Sequence, residues 1–92
     1  MREIIMDIKN LEAKVIKFMM ADSSNSPKAI NEFILLVAKD YTDVNDLRYF
    51  LILHDTLCKL ESEGKVEDVS DMSSANRSKY QIIKDSRWRL KK

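Results

Sequence analysis

A single glycine, Gly64, divides this chain into a part with helical spacing and a part with strand-like alternation. Before it, Leu57 and Leu60 keep a three-residue step among the helix-favouring Lys59, Glu61 and Glu63. A residue without Cβ takes the left-handed conformation that ends a helix at little steric cost, so the helix is expected to stop there. Beyond it, Lys65-Val66-Glu67 and Tyr80-Gln81-Ile82 alternate polar with apolar, the period of half-buried strands. Ser70 to Ser78, rich in Ser, Asp and Asn, separates them as an exposed loop. A long helix feeding a two-stranded hairpin over residues 65–84 is the frame against which the remainder must pack.

Upstream, residues 1–21 read as a first helix, with Ile4, Ile8, Leu11, Val15, Phe18 and Met19 on one face. Ile5, Met6, Ile16 and Met20 fall outside that stripe, which makes this surface the candidate homodimer contact, with Trp88 as a second candidate. After the polar loop Asp22 to Ser26, Ser26-Pro27 is a helix start, because serine caps free amides and proline suits the first turn. A second helix is expected over 26–41, burying Ile30, Phe33, Ile34, Val37 and Tyr41. A third spans 43–63, capped by Thr42 or Asp43. Winding it at 3.6 residues per turn puts Val44, Leu47, Phe50, Leu51, Leu53, Leu57, Cys58 and Leu60 on one broad side. Asn45, Arg48, Tyr49, Ile52, Asp55, Thr56 and Lys59 fall on the other. Residues 85–92 read as a basic tail.

With 92 residues, 45% of them hydrophobic, the chain makes one domain, 1–92, with enough apolar residues for a core. No apolar run reaches the ~20 residues that span a bilayer, and the N-terminus lacks the pattern of a secretory signal. One cysteine cannot close an internal disulfide. The expected location is intracellular, in the cytoplasm. The net charge of +1 hides an asymmetry: Arg77 to Lys92 holds seven basic residues and one acid. Between Ile30 and Glu63, in contrast, Lys39, Arg48 and Lys59 face seven acids. The basic end suits an anionic partner; the acidic middle does not.

Little in the sequence points to catalysis. His54 and Cys58 stand four apart on a helix, a spacing for two metal ligands, but a structural zinc site needs about four, and the chain has no second such pair. Their positions read as a packed core histidine and a buried thiol. Asp55 cannot orient its neighbour His54, since adjacent helical side chains diverge by about 100°. A lone glycine leaves no nucleophile elbow, phosphate loop or dinucleotide fingerprint. The chain is therefore read as a non-enzyme with no cofactor and no metal.

Three helices, then Leu57-x-x-Leu60-x-x-x-Gly64-x-Val66, a polar loop and Tyr80-x-Ile82, resemble the winged helix-turn-helix superfamily over about Asp7 to Lys84. The resemblance implies an α+β, mainly α fold: three helices, a two-stranded β-hairpin wing and a short basic tail. It also implies a small, dimeric transcription regulator on double-stranded DNA. The third helix would offer Asn45, Arg48, Tyr49, Ile52, Thr56 and Lys59 to the major groove. Ser74, Asn76, Arg77 and Lys79 of the wing, with Arg87 and Arg89 of the tail, would meet the backbone. Winged helices also act as protein-docking modules without DNA, and Leu35, Ile52 and Trp88 would then be contacts.

Overall fold

Gly64 ends its helix as its lack of Cβ predicts. Its φ is +76°, the Gly64 N–H donates to Glu61 O at 2.9 Å, and the Lys65 N–H to Leu60 O at 3.0 Å. This pair of bonds closes the last turn in a Schellman arrangement and satisfies carbonyls that would otherwise be orphaned. A Cβ built at Gly64 would meet no atom within 4 Å. Gly64→Ala is thus expected to cost only backbone strain, about 1 kcal/mol, read as a lower denaturant midpoint at unchanged slope.

The computed structural model describes residues 10–38, 47–70 and 78–91. It is a small α+β domain, mostly helical, with a three-stranded antiparallel sheet. In order come α1 (Leu11–Met20), β1 (Lys28–Ala29), a 3-10 helix (Ile30–Leu36), α2 (Leu47–Ser62), β2 (Val66–Asp68), α3 (Lys79–Lys84) and β3 (Arg87–Leu90). The sheet runs β1-β3-β2, so the last strand is the central one. Trp88 lies opposite Lys28 on one side and Asp68 on the other. Among the described residues no helix is long and apolar enough to cross a membrane.

Two expected elements change identity. The segment around Tyr80 is helical, not the second strand of a hairpin. Ser78 caps it, its Oγ accepting from the Gln81 N–H at 3.2 Å, and Ile83 rather than Ile82 points inward. The strand that pairs with β2 comes from the expected basic tail. Arg87 and Arg89 face out and Trp88 is 1% exposed, so period-2 alternation puts one apolar side chain into the core for each charge left in water.

The expected second helix, 26–41, also starts later and winds tighter. Ser26 does not cap it, because its N–H and Oγ both donate to Asp22 Oδ2, at 3.2 and 2.7 Å. The Asp22 carboxylate further accepts from the Ser24 N–H and Oγ and from Lys28 Nζ. Hydrogen bonds from Ser24, Ser26 and Lys28 hold its carboxyl well below the usual carboxylate range. Lys28 and Ala29 are kept extended by pairing with β3, and the turn begins only at Ile30, whose N–H donates to Ser86 O at 3.3 Å. Glu32 then closes the first turn by accepting from the Ala29 N–H at 2.7 Å.

Leu11, Val15 and Met19 of α1, Ile30, Phe33 and Ile34 of the 3-10 helix, and Phe50, Leu53, Leu57 and Leu60 of α2 meet in the core. Val66, Ile83 and Trp88 close it from the sheet side. Ser86, the one buried polar residue among the described residues, has full use: its Oγ donates to Ile83 O at 2.7 Å and accepts from Trp88 Nε1 at 3.0 Å. Asn25 takes φ +51° and prolongs the β1 edge of β3 with its side chain. Its side-chain amide donates to Leu90 O at 2.9 Å, and its Oδ1 accepts from the Leu90 N–H at 3.0 Å. The first-helix, second-helix and third-helix expectations over 1–9, 39–46 and the loop over 71–77 fall outside the described residues.

Candidate functional site

The outward face of α2 differs from the face that the sequence offered. Tyr49 is 2% exposed and belongs to the core, so it cannot reach a groove. Ile52 and Thr56 turn toward α1 and are half-buried, and the Thr56 hydroxyl donates to Ile52 O at 2.8 Å. Lys59 is exposed but tied to α1: its Nζ lies 2.9 Å from Glu12 Oε2, and that bond raises its pKa further. What α2 presents to solvent is Leu47, Arg48, Leu51, Asp55, Cys58, Lys59, Glu61 and Ser62. Leu47 and Leu51 sit near the position where the sequence had placed a core side. The inward side read from the sequence was too broad: it joined the exposed Leu47, Leu51 and Cys58 to the buried 50-53-57-60 stripe, and it left the buried Tyr49 on the outward side.

Of the other proposed contacts, Lys79 opens α3, and Arg87 and Arg89 project from β3, all exposed. Arg89 pairs with Glu67 across the strand. Lys79 and Arg87 form no ion pair among the described residues. Asn45, Ser74, Asn76 and Arg77 lie outside those residues. Among the dimer candidates, Met20 is exposed and Ile16 half-buried, while Ile5 and Met6 again lie outside the described residues. Trp88 is excluded from any intermolecular contact by its burial.

The structure brings together a group that the sequence did not. Tyr80 of α3 meets Phe50 of α2 edge-on, ring centroids 6.4 Å apart at 83°. Lys84 Nζ stands 5.7 Å from the Phe50 centroid and 5.8 Å from that of Tyr80. This packing fastens α3 beside the N-terminal half of α2, so Lys79 and Lys84 are carried to the end of α2 that bears Arg48. Comparison with known proteins finds no matching family model, curated protein or solved structure. The site therefore rests on its own geometry.

Two further features lie on α2. An open groove of about 940 Å³ runs between α1 and α2, lined by apolar Leu11, Ala13, Ile16, Met20, Ile52 and Leu60. On the exposed side, Cys58 is not the buried thiol expected, and His54 is half-buried instead of enclosed. Partial burial and the nearby carboxylates of Glu61, Asp55 and Asp68 push the Cys58 thiol pKa up, so it is a poor nucleophile as it stands. Among the described residues no set of three His, Cys, Asp or Glu side chains converges on a point that could hold a metal ion.

Proposed function

We propose that the chain is a winged-helix protein that binds duplex DNA inside the cell, with α2 as its groove-facing helix and α3 as a helical wing. The observation that carries this reading is the α2–α3 contact at Phe50 and Tyr80, which sets Lys79 and Lys84 beside the first turns of α2. The connectivity agrees with it: two helical segments separate β1 from β2, and the sheet order is β1-β3-β2. Arg48, Lys79, Lys84 and Arg87, each exposed, then supply phosphate contacts. Base readout falls to few side chains, since Tyr49 is buried and Thr56 and Lys59 are engaged internally. Such a binder is sequence-tolerant, with affinity dominated by charge. The exposed Met20 and half-buried Ile16 on α1 are the contact through which two copies would pair, as small regulators of this kind do.

A specific observation supports protein docking as the second reading. Leu35, Leu47, Leu51 and Ile82 are 59%, 42%, 41% and 40% exposed, and Asp55 shares the α2 face with two of them. A titration of random-sequence duplex over a salt series separates the two. Four phosphate contacts predict a log–log slope of about −3 to −4. Lys79→Ala with Arg87→Ala is expected to reduce that slope by about 2. No affinity at low salt would end the DNA reading, and an unchanged slope in the double variant would remove α3 and β3 from the interface.

A further inference from the structure

The groove between α1 and α2 has apolar walls that the described residues leave open. Ile16 on one wall and Ile52 on the other are half-buried, and Met20 at the far end is 66% exposed. Ala13, the smallest side chain lining it, leaves room between them. Taking such a surface out of water is favourable in proportion to its apolar area. Asn10 lines the groove as well, at the opposite end of α1 from Met20. Its φ of 59° and ψ of 29° are left-handed, so the continuous helix expected over 1–21 is broken there and α1 starts afresh at Leu11.

The sequence before Asn10 has the marks of a helix that ends at it. Asparagine is, after glycine, the usual residue for the left-handed position that closes a helix, and Lys9 puts a positive charge on the last turn. Wound as a helix, Ile4, Ile5 and Ile8 fall within an arc of about 100°, whereas Arg2, Glu3, Met6, Asp7 and Lys9 fall outside it. A helix over 2–9 would be about 12 Å long, against about 15 Å for α1. We propose that residues 2–9 form a short amphipathic helix that turns back at Asn10 and seats Ile4, Ile5 and Ile8 in the groove between α1 and α2. Running back beside α1, it brings Glu3 near Lys17, which is exposed on the groove's rim. Because the segment is joined directly to the groove's wall, closing the contact costs little chain entropy.

The groove holds none of the proposed phosphate contacts, so the docking stands apart from the DNA reading. It does hold Ile16 and Met20, the proposed pairing contact, and the experiment must tell the chain's own segment from a second copy. Methyl NMR of the full chain, labelled at isoleucine and methionine, does so. Cross-peaks from the Ile4, Ile5 and Ile8 methyls to those of Ile16, Ile52 and Met20 are expected. They should persist on tenfold dilution and be absent between chains in a mixture of labelled and unlabelled protein. Ile4→Ser with Ile8→Ser is expected to lose them and to raise the fluorescence of an apolar dye several-fold as the groove opens. The Phe18–Phe33 ring contact, 5.3 Å between centroids, reports in an aromatic spectrum that this variant is folded. The proposal is overturned by spectra of the unaltered chain without these cross-peaks, by cross-peaks found only between chains, or by a folded variant whose dye signal does not rise.

Discussion

A chain cut after Asp85 is expected not to fold. Residues 86–92 look dispensable by charge alone, with four basic side chains, yet they contain the central strand of the sheet. Removing them strips β1 and β2 of their shared partner and takes Trp88 out of the core. It also deletes Ser86 O, the acceptor for the Ile30 N–H, and the Leu90 groups held by Asn25. Burial of a residue such as Trp88 alone accounts for about 3–5 kcal/mol, and a small domain has in all about 5–15 kcal/mol of stability. The loss of strand, ladder and tryptophan together exceeds what a 92-residue domain has to spare. Far-UV circular dichroism and amide proton dispersion would read the outcome. A cooperative melt close to that of the intact chain would show that β3 is a tail after all.

The same segment explains what the sequence disclosed and what it hid. Gly64, with Leu57 and Leu60 before it and Val66 after, was legible because glycine chemistry and apolar spacing agree on one structure. Arg87-Trp88-Arg89-Leu90 carries an equally plain period-2 signal, but its charges suggest a solvated end, and only the sheet reveals that alternate residues are covered. Ser78 and Gln81 have the spacing of a capping box ahead of Tyr80 and Ile83, which announces α3. The strand reading took Tyr80 and Ile82 as a pair, whereas the helix buries Ile83 and leaves Ile82 40% exposed. Ser26-Pro27 failed for a tertiary reason: the Asp22 carboxylate competes for the serine, and pairing of Lys28 and Ala29 with β3 delays the helix.

For the site, the sequence identified the basic residues but not their neighbours. Whether Lys59 is available depends on Glu12, which lies 47 residues away in the chain. Whether Arg89 is available depends on Glu67, opposite it only once the register is set. The grouping of Lys79 and Lys84 with the start of α2 follows from one aromatic contact that no local pattern encodes. Long-range pairings of this kind are the part of a fold that spacing rules cannot reach.

Trp88→Ala is the second large effect, expected to cost about 3–5 kcal/mol. Trp88 is 1% exposed at the middle of the central strand, so little can move in to fill the space its indole leaves. Ser86 Oγ also loses the donor at 3.0 Å, although its own bond to Ile83 O remains. For a domain of this size each kcal/mol moves the midpoint by about 4–8 °C, so the melting temperature should fall by at least about 12 °C. Trp88→Phe keeps most of the apolar ring while removing the N–H, and is expected to lie well between the two. The alternative role, a tryptophan at a contact between copies, predicts a different result: association would weaken, and the melting shift would vanish on dilution. Thermal scans at two protein concentrations a hundredfold apart decide it, because a core residue gives the same large drop at both.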